Sequence, residues 1–332
     1  MSSYSPPFQM TDEIMNLVAE ISELVGIVSV DGQFTPDPKL RRENRIKSIY
    51  SSLAIEQNTL SLDQVTAVID GKRVLGPPKD IREVRNAYEA YERLSELDPE
   101  SMEDLLLAHR MMMQDLVPDA GCFRSGNVGV FRGEQLMHAG TPAAYVPEVM
   151  RQLIDWLRTT SVHPLIKGAI FHCEFEYIHP FSDGNGRTGR LWHSLILQQW
   201  RPIFAWLPIE NMIHEHQEEY YQALNTAQNS AQNEVFTSFV LRLIRNLLQE
   251  IHEGQAGNVV DNVVNNVVEN GGKGQNAVMA VLKKKPKASA REIAALANMS
   301  ERQIQRILAE LKAQGVLIRH GSPKGGWWEI RE

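Results

Sequence analysis

Only two cysteines, Cys122 and Cys173, occur in 332 residues. Neither sits in a metal-ligand spacing, and so few thiols exclude a disulfide framework. No apolar run approaches membrane-spanning length. The opening stretch MSSYSPPFQMTDE has neither the basic nor the apolar segment of a secretory signal. These absences lead to the expectation of a cytoplasmic protein with no membrane partner. Hydrophobic residues make up 43% and charged residues 23%, the mix of an ordinary globular chain, and the length allows two or three domains.

Charge is unevenly placed. Residues 271–332 hold twelve Lys/Arg against five Asp/Glu, a net +7, so an overall net charge of -7 leaves -14 on the rest. An acidic body with a basic tail suggests two different tasks. In the body, apolar residues recur at helical spacing over 11–28, and further helices are predicted at 40–60, 61–69, 80–97, 101–116, 145–160, 163–178, 190–200, 211–227 and 234–252. Short apolar pieces around Arg132-Gly133-Glu134 predict a β-hairpin. The expected fold class is therefore mainly α with one hairpin. Asn258 to Asn270 repeats Asn-Val-Val, and Gly-Gly-Lys-Gly marks a boundary after it.

Between two helical runs stands HPFSDGNGRTGR, residues 179–190. Phosphate recognition needs backbone N–H groups converging at a helix N-terminus. Asp183-Gly184-Asn185-Gly186 supplies glycines that let a ligand approach the backbone. A helix starting near Arg187 aims its positive end at the turn. Arg187 and Arg190 lie three apart, a spacing at which both can face one anion. Asp183 offers one carboxylate for Mg²⁺, and His179 is a base available at neutral pH. Taken alone, the four central residues are simply a turn. The full string narrows the reading.

That string resembles the signature of the Fic family, H-P-F-x-[DE]-G-N-G-R-x-x-R, at every fixed position. The likeness runs over most of residues 5–250. It implies a Fic-type helical core that transfers AMP from ATP, with Mg²⁺, to a hydroxyl side chain of a target protein. By this resemblance His179 is the catalytic base and Asp183 the metal ligand. Gly184, Asn185 and Gly186 cradle the phosphates, and Arg187 and Arg190 neutralise their charge. Phe181 is expected to pack inward, and His172 and His193 to be structural. The hairpin corresponds to a flap along which the target lies, with Met137, His138 and Ala139 at its edge. Tyr220 and Tyr221 are candidates for the adenine pocket, and Gln228 is placed near the nucleotide.

Upstream, SSLAIEQN resembles the family's inhibitory helix, [ST]-x-x-x-E-[GN]. Ser52 and Glu56 match it; Gln57 departs from it, and Asn58 follows one residue later. The resemblance implies that Glu56 pairs with Arg190 and occupies the place of the ATP γ-phosphate. Removal of AMP from a target stays open as an alternative reaction.

The tail carries two capping boxes, at Ser289–Glu292 and Ser300–Gln303, then a strand-turn-strand pattern. It resembles a winged helix. Arg302, Gln303 and Arg306 would start a recognition helix, and Lys283, Lys284, Lys285, Lys287 and Lys324 would touch phosphates. A protein-contact role for this module stays open, as does a homodimer. So does a second functional class, a DNA-binding regulator whose body only senses nucleotide. The expected division is 1–100 with the inhibitory helix, 101–255 the Fic core, 256–273 a linker and 274–332 the winged helix.

Overall fold

A computed structural model describes residues 4–30, 38–132 and 135–255. Beyond these it describes 278–279, 281–283, 285, 287–297, 304–305, 307–308, 311–312, 317–320 and 327–330. Met1–His252 form one compact unit and Glu253–Glu332 a second. The border at 100/101 drawn from the sequence falls inside the first unit, and the linker 256–273 lies outside the described residues.

In the first unit the described helices are α1 (Asp12–Val30), α2 (Pro38–Ile55), α3 (Leu62–Ile69), α4 (Pro78–Glu92), α5 (Met102–Met113), α6 (Val146–Thr159), α7 (Pro164–Ile178), α8 (Asn185–Trp200), α9 (Ile209–Glu215), α10 (Gln217–Ser230) and α11 (Asn233–Gln255). Between α5 and α6 lie two antiparallel strands, β1 (Gly129–Arg132) and β2 (Gln135–Ala139). Helix starts follow local chemistry. A Ser61–Gln64 capping box opens α3, Ser101 caps α5, and Pro164 stands in the first turn of α7. Helix α7 is buried along most of its length, His172 and Glu174 included, and packs against α8.

Two predicted helices are broken differently. The expected 40–60 helix stops at Ile55, because Gln57 takes a left-handed φ of 67°. Gln57 N–H donates to Ala54 O and Asn58 N–H to Leu53 O, the paired bonds of a Schellman stop. The expected 211–227 helix is split at His216, whose φ of -110° and ψ of 33° leave the helical range.

Helix α2 is fastened to α9 and α8 by buried polar groups. Glu210 accepts from Ser48 Oγ at 2.9 Å, Tyr91 Oη at 2.9 Å and Ser194 Oγ at 2.7 Å. Ser51 Oγ donates to Asn211 Oδ1 at 3.0 Å. The Glu210 carboxylate, 2% exposed, is thus satisfied by three hydroxyls.

In the second unit, α12 (Ala290–Ala297) carries the Ser289–Glu292 capping box, and β3 (Leu317–His320) pairs antiparallel with β4 (Trp327–Ile330). Val278, Leu282, Ile293, Ile304 and Leu317 belong to its apolar core.

Glu210→Ala removes the acceptor for three buried hydroxyls and leaves a void. It should destabilise the first unit by about 3 kcal/mol, read as a lower urea midpoint, with Glu210→Gln losing less.

Candidate active site

The 179–190 segment joins α7 to α8 as a pinned loop. His179 ends α7 in the left-handed region, at φ 53° and ψ 61°, which a side chain adopts only when its surroundings hold it. Arg124, 3% exposed, does the holding. Its Nε donates to His179 O at 2.7 Å, its Nη1 to Gly126 O at 2.8 Å and its Nη2 to Thr141 O, while its backbone N–H donates to Pro180 O at 3.0 Å. One guanidinium therefore ties His179 to both feet of the hairpin.

Phe181 is fully buried. Its ring stacks on His109 of α5, with centroids 3.6 Å apart and planes 2° from parallel. Gly121 N–H donates to His109 Nδ1 at 2.9 Å, so that nitrogen carries no proton. Nε2–H must then donate to Asp183 O, 3.0 Å away. Burial lowers the His109 pKa to about 4 and keeps the ring neutral.

Asn185 closes the loop from within. Its Oδ1 accepts from Phe181 N–H and its Nδ2 donates to Phe181 O, both at 2.9 Å. The Asn185 side chain therefore shapes the loop, while the first-turn N–H groups of α8 lack carbonyl partners within the helix. At two glycines a side chain would displace a neighbour. Gly184 has φ 82°, and a Cβ there would lie 2.5 Å from Met113 Sδ. A Cβ on Gly186 would lie 2.2 Å from Glu56 Oε1.

That second contact locates Glu56 on the first turn of α8. Its Oε1 accepts from Arg190 Nη2 at 2.8 Å. Ser52 completes the arrangement, its Oγ accepting from Arg190 Nε at 3.1 Å and its carbonyl from Nη2 at 2.9 Å. Burial alone would lower the Arg190 pKa; Glu56, Tyr220 and Glu176 together more than offset this, and the value lies above its ordinary one. The spacing of Arg187 and Arg190 allows a shared anion, but the structure sends them apart. Arg187 Nη1 donates to Glu83 Oε1 of α4 at 3.0 Å, and its Nη2 to Asp183 Oδ1 at 2.9 Å.

Asp183 Oδ1 also accepts from Gly184 N–H at 2.6 Å. The side chain is 47% exposed, which leaves Oδ2 for a cation. Among the described residues no three His, Cys, Asp or Glu side chains converge as a metal cage. One exposed hard oxygen ligand fits Mg²⁺ held jointly with substrate phosphates.

The other sequence candidates divide. Tyr220 is 1% exposed, and its Oη lies 3.1 Å from His172 Nε2 in an aromatic cluster with Phe236. Tyr221 is 44% exposed; burial of its hydroxyl and the nearby Glu56 carboxylate raise its pKa. Gln228 is half-buried on α10. His193 is buried, with its pKa lowered to about 4 by desolvation. In the hairpin, Val130 pairs with His138 and Phe131 with Leu136, so Met137 is the bulged residue between them; Ala139 pairs with Gly129. Arg302, Gln303 and Arg306 lie outside the described residues, as do Lys284 and Lys324. The sequence reading missed Glu83, His109 and Arg124. Each is a single polar residue without motif spacing, and only the tertiary fold brings it to the loop.

The model described as Fic/DOC family matches residues 97–197. A Fic family protein from Desulfovibrio desulfuricans G20, known as a crystal structure, is 42% identical, with a TM-score of 0.73 over 99% of this chain and 98% of that one. The chain belongs to the Fic/DOC family. Protein adenylyltransferase fic-1 of Caenorhabditis elegans is 34% identical over 206 residues, 57% of this chain and 38% of that protein. A probable protein adenylyltransferase of Aquifex aeolicus is 29% identical over 181 residues, 53% and 52% of the two chains. This chain thus spans about two fifths to one half of these curated relatives. Within the Fic domain, the family motif is the loop that Arg124, His109 and Asn185 pin.

The unfolded chain has an ordinary histidine pKa near 6.5 at His109, whereas the folded one holds about 4. Stability from this group is therefore intact above about pH 6.5 and lost as pH falls towards 4. His109→Asn should lower the melting temperature at pH 7.5 and flatten its fall between pH 6.5 and 4.5. Parallel melting curves for the two proteins would remove His109 from this account.

Proposed function

We propose that this chain is a protein adenylyltransferase restrained by its own Glu56. The observation that carries this is the Glu56 carboxylate seated on Gly186 and Arg190 at the N-terminus of α8, where an anionic substrate would otherwise bind. ATP would lay its phosphates along the first turn of α8. Asp183 would hold Mg²⁺, which supplies charge neutralisation across those phosphates. His179 would take the proton from the target hydroxyl as it attacks the α-phosphorus and pyrophosphate leaves. The backbone N–H groups of the first turn stabilise the charge that develops. Tyr221, the exposed member of its pair, would be the one to meet the adenine. The target segment would add to the edge of β2, and Arg124 would hold that flap and His179 in one register.

The brake follows from chemistry already described. An arginine held at 2.8 Å by a carboxylate does not orient a triphosphate. Glu56→Gly should therefore raise AMP incorporation from labelled ATP, including self-modification, by about ten- to a hundredfold, the worth of one charge-assisted pair. Adding Arg190→Ala should cancel the gain, and His179→Ala should abolish transfer while ATP still binds. An unchanged rate in the Glu56→Gly protein would reject Glu56 as the brake. In the wild type, the same carboxylate could instead orient a water for AMP removal, which release of AMP from a pre-modified target would reveal.

For the second unit we propose duplex DNA as the partner of a winged helix. The support is the local charge: Lys285 and Lys287, against the single carboxylate of Glu292, line one hollow together with Ala288 and the half-exposed Trp327. Full-length protein should bind duplex DNA with an affinity that falls steeply as salt rises, and a chain truncated after residue 255 should not. Equal binding by the two would make the tail a protein-contact module.

A further inference from the structure

Arg187 presents an electrostatic problem that the proposed reaction leaves unsolved. Its guanidinium is buried and donates to Asp183, the residue assigned to hold a divalent cation. A carboxylate neutralised by a buried guanidinium is a poor ligand for a cation, because the arginine already occupies the charge that the metal needs. By themselves Arg187 and Asp183 form a neutral pair.

The structure adds a second carboxylate. Glu83, with its side chain 6% exposed, accepts from Arg187 Nη1 at 3.0 Å while Arg187 Nη2 reaches Asp183 at 2.9 Å. Asn58 Nδ2 donates to the other oxygen of Glu83 at 2.8 Å, so the carboxylate is held on both sides. Lys79 Nζ lies 3.8 Å from Glu83, but its side chain is 65% exposed and solvent screens it. The three buried or half-buried groups thus carry net -1 rather than zero. Of the two carboxylates, Asp183 is the exposed one, at 47% against 6%.

We infer that Glu83 is the counter-ion of Arg187, a positioning residue that leaves Asp183 its negative charge for a divalent cation. This rests on the adenylyltransferase reading only in taking that cation to accompany ATP. Glu83 touches neither cation nor nucleotide; it acts through Arg187. The same contact also fixes the turn that presents Glu56, because Asn58 is the residue that completes the Schellman stop.

The charge account separates from a merely structural role in ATP binding, which needs no turnover. ATP affinity is measured by calorimetry on full-length protein carrying Glu56→Gly, with Mg²⁺ and with EDTA; Mn²⁺ binding is followed by electron paramagnetic resonance. Adding Glu83→Gln should cut the gain in ATP affinity from Mg²⁺ by about tenfold and weaken Mn²⁺ binding likewise, with metal-free ATP binding unchanged or tighter. The Glu83→Gln, Arg187→Gln double variant buries no unpaired charge and returns net -1 to Asp183. It should recover most of the metal-dependent gain. A loss of ATP affinity equal with and without metal, or no recovery in the double variant, would overturn the inference and leave Glu83 a structural staple between α4 and α8. If the protein transfers no AMP to any target, the adenylyltransferase reading fails, yet this metal linkage is still measured.

Discussion

A guanidinium only 2% exposed cannot stand without acceptors, and the proposed restraint of this Fic domain rests on which acceptors Arg190 has. In the structure they are Ser52 of α2 and Glu56, the residue that follows its end. The carbonyl and hydroxyl of Ser52 come from a residue buried within the helix; the Glu56 carboxylate comes from the helix end and is 31% exposed. Removing the carboxylate therefore leaves Arg190 partly satisfied, with one face of its fork open. A phosphate presents the same acceptor geometry as a carboxylate and can take that face. In the proposed reading the brake and the substrate site share one donor, Arg190, so occupancy by one would exclude the other without any further device.

Release need not move the helix. Ser48 and Ser51 bind Glu210 and Asn211 in the interior, and displacing α2 would break those bonds in a dry environment. The weak point is the last turn. Gln57 sits at the C′ position of a Schellman stop, in a backbone conformation that glycine and asparagine tolerate best. This gives a physical meaning to the family preference for Gly or Asn after the inhibitory Glu: the residue ends the helix in the left-handed region and so aims the Glu. Gln57 meets the same requirement at a steric cost. Asn58 does not replace it in that role, because its side chain is turned to Glu83 and the carbonyl of Asp80.

Much of this architecture was legible in the sequence because local rules dictate it. Apolar periodicity marked the helices, capping residues marked several of their starts, and the motif string marked the loop. The end of α2 was misread as running on to residue 60 because Gln57 carries no glycine signal there, and the stop is enforced by backbone bonds to Leu53 and Ala54. The partition of the two arginines was hidden for a similar reason. Their spacing places them on one side of a helix, but where each fork goes depends on the carboxylates of Glu83 and Glu56, far away in the chain. His109, followed by Arg110, and Arg124, followed by Ser125-Gly126-Asn127, carry no motif spacing that would set them apart from other polar residues of the chain.

The loop is therefore held by neutral or internally balanced groups on the side facing the core, with its charged groups turned to the site. His109 is kept neutral by a backbone N–H on one nitrogen and stacks on Phe181. Arg124 is charged, yet it donates to the main-chain carbonyls of His179, Gly126, Thr141 and Ile178, so it orients peptide dipoles without bringing a carboxylate to the neighbourhood. Asn185 hydrogen-bonds the loop to itself. Such a frame fixes geometry while adding little negative charge near the first turn of α8. Besides Asp119, which accepts from Ser182 Oγ, the negative charge brought to the loop comes from Glu56 and Glu83, each paired to one motif arginine. The first pairing lies where an incoming phosphate competes with it. The second joins two side chains only 3% and 6% exposed, so water and ions compete with it little.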